Sequence, residues 1–335
     1  MILIAIFLFK IVNSGKVIDG LDCVNFMALG DWGGWQEYPF STPAQVKVAE
    51  QMKNLAQKMN ISFIISVGDN FYPTGITSPT DPRIVYTFKN VYLRNSPLEG
   101  IPWFLVAGNH DHRMDQAKHQ IEYSKHSDVW NFPDYLHTLR VKLNSKNKLK
   151  SVRFIFVDTN ILCSLFDDFR LDQGFDILNQ TYYDLVEREL IKSKKDDLIV
   201  VVGHHPIYSG MYGRLIPKCV NQNFKNLMDK YLVRAYISGH DHTLQYHTYR
   251  NKYSANETHL FISGAGSGSY NLPIIETKNK IFDTKFYWQN TNKMDSSWAS
   301  FKSGGFMLIS TSLDKFTFKF IDEEGEILYQ NSFDI

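Results

Sequence analysis

Short apolar runs of β-branched and aromatic residues recur along the chain, and their length and spacing predict strands at 24–29, 61–67, 102–107, 152–158, 198–202 and 234–238. Helical periodicity fills the intervals. Pro43 suits a first helical turn, and Val48, Met52, Leu55 and Met59 then fall on one face. Further helices are expected over 83–95, 180–192 and 221–232, with 160–180 a polar, turn-rich loop. After THLFISGAGSGS (258–269), whose Gly/Ser run predicts a loop, the segments GGFMLISTS, KFTFKFI and EILYQNSF alternate with period two and read as an antiparallel meander. Strands alternating with helices first, and strands alone last, imply a layered α/β body whose second sheet packs on the first.

Five of the apolar runs stop at a glycine followed by a metal-ligand side chain. They are ALGDWG (28–33), SVGDNFY (66–72), LVAGNHD (105–111), VVVGHHP (200–206) and YISGHDH (236–242). Side chains at the carboxyl ends of strands in an α/β sheet can share one crevice. Asp31, Asp69, Asn109, His204, His240 and His242 can therefore converge, and they are too many for one ordinary ion. Two ions sharing a carboxylate is the economical explanation. Asp69 has the strongest claim to bridge, because a carboxylate can give one oxygen to each ion. Tyr72 could reach the same centre or be packing. Asn109 is a weak ligand that adds no charge to a site admitting an anion, and Asp111 is expected to hold a histidine or the loop in place. The side chains of His204 and His205 are expected to diverge, leaving His204, directly after the glycine, as the ligand. His240 and His242, two apart, can point the same way. Trp32, Phe71 and Tyr208 adjoin these clusters and could wall a pocket or simply pack.

Composition changes this picture little. A chain of 335 residues, 21% charged and 44% hydrophobic, can bury a large core. A net charge of +1 without a long basic run argues against nucleic-acid binding. Residues 1–14 read as a secretory signal, with Val12 and Ser14 placed for cleavage before Gly15, although a basic start is missing and a buried strand is the alternative. Stable membrane insertion is not expected. Cys23, Cys163 and Cys219 would give one bridge and one odd thiol in an oxidising compartment. Asn60, Asn179 and Asn256 stand in sequons, about as many as chance supplies.

GDWGG (30–34), GDNFY (68–72), GNHD (108–111), VVGH (201–204) and GHDH (239–242), in this order and spacing, resemble the ligand motifs of the purple acid phosphatases, and more closely those of the small tartrate-resistant (type 5) group. The similarity runs from about 24 to 331, and GDNFY is the decisive motif, because other metallophosphoesterases lack its tyrosine. The resemblance implies a four-layer calcineurin-like fold of two packed mixed sheets flanked by helices, as a single catalytic domain over 22–333. It implies a phosphomonoesterase acting at acid pH through a metal-activated hydroxide. Asp31, Tyr72 and His242 would hold Fe(III), Asp69 would bridge, and Asn109, His204 and His240 would hold Fe(II) or Zn(II). It also implies a Cys163–Cys219 disulfide, His110 as the group that orients phosphate and protonates the leaving group, and a monomer, secreted or lysosomal, acting on small-molecule or protein phosphomonoesters. Two departures stand out. Mammalian members carry a further active-site histidine beyond the VxxH motif, and 206–218 has none, so His205, a tyrosine or solvent substitutes, or His110 acts alone. The loop corresponding to the mammalian repressive loop, about 167–180, is short, which argues against proteolytic activation. A phosphodiesterase or nucleotidase, and a scaffold on a degenerate fold, are the competing readings.

Overall fold

The strands that lead into the ligand clusters divide between two sheets. In the computed structural model, which describes residues 15–145, 148–163, 177–211, 214–270, 281–288 and 299–335, Cys23–Leu29, Phe63–Ser66 and Trp103–Leu105 run parallel in one sheet. Leu198–Val202 and Ala235–Ser238 run parallel in the other. Among the described residues the first sheet has 7 strands and the second 8, and both mix parallel with antiparallel pairs. The carboxyl-terminal meander does not form the second sheet. Gly305–Ser312 pairs antiparallel with Cys23–Leu29, so the meander extends the amino-terminal sheet. A one-edged alternation of β and α could not foretell this, because nothing local says which edge a late strand joins.

The inner faces of both sheets supply one apolar layer, in which Phe26, Phe63, Phe104, Phe154, Phe156 and Phe318 are buried. Phe26 stacks on Phe63 at 4.6 Å and meets Phe154 edge-on at 5.3 Å, so the two sheets interlock through rings. Alternate residues of the same strands face outward onto helices. Met27, Leu29 and Ile64 pack with Val48 and Met52 of the helix Pro43–Lys58, whose first turn is capped by Thr42 accepting from the Gln45 N–H. On the far side, Ile155, Val157 and Val201 pack with Val186 and Leu190 of Ile177–Ser193 and with Phe224 and Met228 beyond. Helix, sheet, sheet, helix gives the four layers.

Three boundaries differ from the sequence expectation. Thr159–Cys163 is helical within the span read as a loop, and the following helix begins at Ile177. Gly15–Leu21 is a strand pairing parallel with Leu136–Ser145, so the body begins ahead of residue 22, and it ends with Ile327–Asp334. The expected signal, 1–14, lies outside the described residues, as does 164–176, most of the loop matched to the repressive one.

Candidate metal centre

Each candidate ligand sits just beyond a strand, and the backbone there turns sharply. Asp31 (φ 57°), Asp69 (φ 52°) and His240 (φ 69°) occupy the left-handed region, uncommon for non-glycine residues and often found where side-chain aim matters more than local comfort. The preceding glycines make room. A Cβ on Gly108 would fall 2.1 Å from the Asp69 Oδ1, and Gly68, itself at φ +98°, would meet the His204 Nδ1 at 2.6 Å. The two sheets are tied at this point: the His240 N–H donates to Asp31 Oδ2 at 2.8 Å, and His204 Nδ1 lies 2.9 Å from the Val67 carbonyl.

The side chains form two donor groups with Asp69 between them. In the first, the Tyr72 hydroxyl lies 3.2 Å from Asp31 Oδ1, 3.2 Å from Asp69 Oδ2 and 3.0 Å from His242 Nε2, and His242 Nε2 is 3.5 Å from Asp31 Oδ1. In the second, Asn109 Oδ1 lies 3.0 Å from both His204 Nε2 and His240 Nδ1, and His204 Nε2 is 3.6 Å from the other Asp69 oxygen, Oδ1. One phenol proton cannot serve three acceptors at once. Spacings of about 3 Å are those of neighbouring ligands around a shared ion with bonds near 2.0–2.2 Å.

Electrostatics favour cations here. Asp31 is 0% and Asp69 2% exposed, and burying two charges costs several kcal/mol each without compensation. Burial, then the Asp69 charge, drives the Asp31 carboxyl well above the usual range. Burial also pushes Asp69 up, but His204 and His110 outweigh it and hold its carboxyl low. Burial lowers His204, His205 and His240, and takes His242 down to about 3, so these imidazoles keep their lone pairs in acid. The donor set, two carboxylates, one phenol, one amide and three neutral imidazoles, fits two metal ions. His204, His205 and His240, and Asp31, Asp69 and His204, each gather their donor atoms within 4.8 Å.

The surrounding groups hold this arrangement. Asp111 secures the loop rather than a histidine, accepting from the N–H groups of Gly108 (2.8 Å), Asn70 (3.0 Å) and Phe71 (3.2 Å) and from Gln120 (2.7 Å). His110 donates its N–H to Asp69 Oδ1 at 2.9 Å, and its Nδ1 lies 2.7 Å from the Pro73 carbonyl. His205 is not turned away as expected. Its ring lies 5.0 Å from that of His204 and 4.5 Å from that of His240, with Nδ1 2.8 Å from Thr159 Oγ1.

Trp32 and Phe71 do not wall a pocket. Both are 0% exposed in the aromatic core under the site, and Trp32 spends its indole N–H on Ser66 Oγ at 2.7 Å. Tyr208 stacks on Phe282 at 4.5 Å and meets His247 edge-on at 4.8 Å, a packing role on the helix side of the second sheet. Sequence reasoning missed Thr159, the buried His112–Asp158 pair at 2.7 Å, and Arg214, whose Nη1 lies 3.1 Å from His240 Nε2. The polar pair Asp158 and Thr159 at the end of the predicted strand 152–158 was the signal for the first two; Arg214 stands in a loop whose sequence gives none.

Cys163 and Cys219 are disulfide-bonded, closing the end of Thr159–Cys163 onto the start of the later helix Cys219–Phe224, and Cys23 is a free, exposed thiol. Asn60 and Asn256 are exposed; the side chain of Asn179, within Ile177–Ser193, is outside those described. No helix among the described residues is long and apolar enough to cross a membrane.

Comparison with known proteins agrees with this geometry. The calcineurin-like phosphoesterase family model matches residues 24–244. Tartrate-resistant acid phosphatase type 5 of Mus musculus is 33% identical over 92% of this chain and 90% of its own length. Two solved structures share the fold: GAP50, the anchor in the inner membrane complex of Plasmodium (TM-score 0.73, 23% identity, 93% of this chain and 89% of that one), and the purple acid phosphatase PPD1 of yellow lupin (TM-score 0.62, 14% identity, 94% and 54%). The chain belongs to the calcineurin-like phosphoesterases, within the purple acid phosphatase family.

Proposed function

We propose that this purple acid phosphatase family member hydrolyses phosphate monoesters in acid at a binuclear centre held by Asp31, Asp69, Tyr72, Asn109, His204, His240 and His242. The observation that carries the reading is the pair of donor groups on either side of Asp69, one containing the Tyr72 phenol. A phenol with two carboxylates suits Fe(III), and an amide with two imidazoles suits Fe(II) or Zn(II). Such a pair of ions, when bound, neutralises phosphate charge and supplies hydroxide as the nucleophile at low pH.

The chain's own groups do the rest. With Nδ1 committed to the Pro73 carbonyl, His110 presents Nε2 as the proton carrier, 3.9 Å from Asp69 Oδ2 and 24% exposed at the mouth. That suits protonation of a departing alkoxide. Thr159 fixes the ring of His205 beside His240, which makes His205 a wall of the site. Tyr72, His110, His240 and His242 are half-buried while Asp31, Asp69, Asn109 and His204 are buried, so the centre opens on one side to an ester. Small-molecule or protein phosphomonoesters fit an open mouth, and the chain is proposed to act as a monomer. The Cys163–Cys219 bridge supports a place on the secretory route, secreted or lysosomal, with which the exposed sequons at Asn60 and Asn256 are consistent.

The test is metal analysis of purified protein, together with kcat/KM against pH for a phosphomonoester and a phosphodiester. Two ions including iron, with monoester turnover favoured in acid, is the expected result. Two manganese or zinc ions with diester turnover at neutral pH would replace this reading with the phosphodiesterase one.

A further inference from the structure

The stretch 206–218 has no histidine, yet it delivers a cation to the centre, Arg214. Arg214 pairs through Nε with Asp241, which is 0% exposed and stands between the two histidines of GHDH. Its Nη1 lies 3.1 Å from His240 Nε2 and its Nη2 3.4 Å from the His240 carbonyl, and the side chain is 21% exposed. Both contacts are to His240, so the guanidinium faces the second donor group. His110 approaches from the Tyr72 side, where its ring meets that of Tyr72 edge-on at 4.7 Å. The open side of the centre therefore has Arg214 at one edge and His110 at the other.

We propose that Arg214 is a substrate-binding residue that grips the phosphate group at the His240 edge of the mouth, hinged on Asp241; the proposal rests on the binuclear phosphatase reading above. Two physical arguments carry it. First, the His240 contact is one that loading of the site would break. His240 Nδ1 faces Asn109 Oδ1 at 3.0 Å and is the nitrogen placed to ligate. A neutral imidazole ligating through Nδ1 carries its proton on Nε2, which then opposes the Arg214 Nη1–H, donor against donor. The guanidinium has to give up that contact while Nε keeps its carboxylate, which frees N–H groups at the mouth. Second, a planar guanidinium matches two phosphate oxygens at once and stays charged at every working pH. Phosphate binding through Arg214 consequently lacks the titration that a histidine in its place would impose.

Isothermal titration of metal-loaded protein with inorganic phosphate tests this, with metal content and melting temperature measured alongside. Arg214→Lys keeps a charge beside Asp241 but loses the fork. Arg214→Gln combined with Asp241→Asn removes the fork without stranding a buried carboxylate. Both variants are expected to retain two ions and bind phosphate roughly 10–100-fold more weakly, the scale of a lost charge-assisted bond. Wild-type affinity in a fully loaded variant would overturn the proposal. Loss of an ion from both variants would also overturn it, making Arg214 a support for His240 instead. A wild type that holds fewer than two ions or binds no phosphate would instead remove the phosphatase reading, and the proposal with it.

Discussion

The Tyr72 hydroxyl and the His242 Nε2 lie 3.0 Å apart although 170 residues separate them, one following a strand of the amino-terminal sheet and the other following a strand of the second. The contact exists only if both sheets dock in the right register, so it reports the whole fold. It also places a phenol where an Fe(III) ion would give a charge-transfer colour. Purified protein is expected to show a broad visible band, and Tyr72→Phe is expected to abolish that band while far-UV circular dichroism stays unchanged. A colourless wild type containing two zinc or manganese ions would sink the iron assignment.

His110 is expected to protonate the leaving group through Nε2. His110→Ala should lower kcat/KM by about 10²–10⁴-fold, the range for general acid catalysis. The loss should be greatest for alkyl phosphates, whose alkoxides leave poorly, and small for an activated aryl phosphate. The measurement is a series of phosphomonoesters graded by leaving-group pKa, with metal content checked in parallel. An unchanged slope at full metal occupancy would take His110 out of this role.

Acid stability of the loop after Tyr72 rests on Asp81 and Arg83. Arg83 pairs with Asp81 at 2.9 Å and donates to the carbonyls of Thr74 (2.8 Å) and Gly75 (2.6 Å), which pins the chain beside the phenol. Burial raises the Asp81 carboxyl, but Arg83 and the Thr77 N–H outweigh it and bring it from 3.8 to about 2. A folded-state pKa below the unfolded one gives stability that is present above about pH 4 and disappears as pH falls through about 2. Asp81→Asn should therefore melt a few degrees lower than wild type, on the order of 2–6 °C, at pH 5. The gap should close as pH approaches 2. A gap that widens in acid would contradict the assignment.

The Cys163–Cys219 bridge closes a loop that contains the strand leading to His204 and the segment carrying Arg214. Non-reducing peptide mapping is expected to recover this linkage and a free Cys23. The Cys163→Ser, Cys219→Ser double variant should lose about 2–5 kcal/mol of stability, as removal of native bridges typically does. Its KM should rise more than its kcat falls, because Arg214 loses an anchor five residues away while the ligand strands keep their sheet pairing. Three free thiols in material from an oxidising compartment would refute the bridge.

Much of the centre was legible before any coordinates. Ligand type and position are local properties: an Asp, Asn or His after a strand and a glycine is aimed past the strand end whatever else the chain does. The resemblance of GDNFY then assigned Tyr72, which composition and spacing left ambiguous. Asp111 was expected to hold a histidine or the loop, and that it holds the loop N–H groups depends on how Gly108 approaches Asn70.

What tertiary structure decided has a common cause. Trp32 and Phe71 flank ligands in sequence yet point into the core, because the left-handed turns at Asp31 and Asp69 aim the acids toward the cleft and leave the next aromatic beneath it. His205 stays beside His240 because Thr159, 46 residues earlier, holds its ring. Arg214 reaches His240 because Asp241 is buried with its carboxylate turned toward it. The sequence by itself determined which atoms could bind metal and that strand ends would present them. Only the docking of one sheet on the other decided which of them meet, because each meeting is a contact between segments whose local energies are indifferent to it.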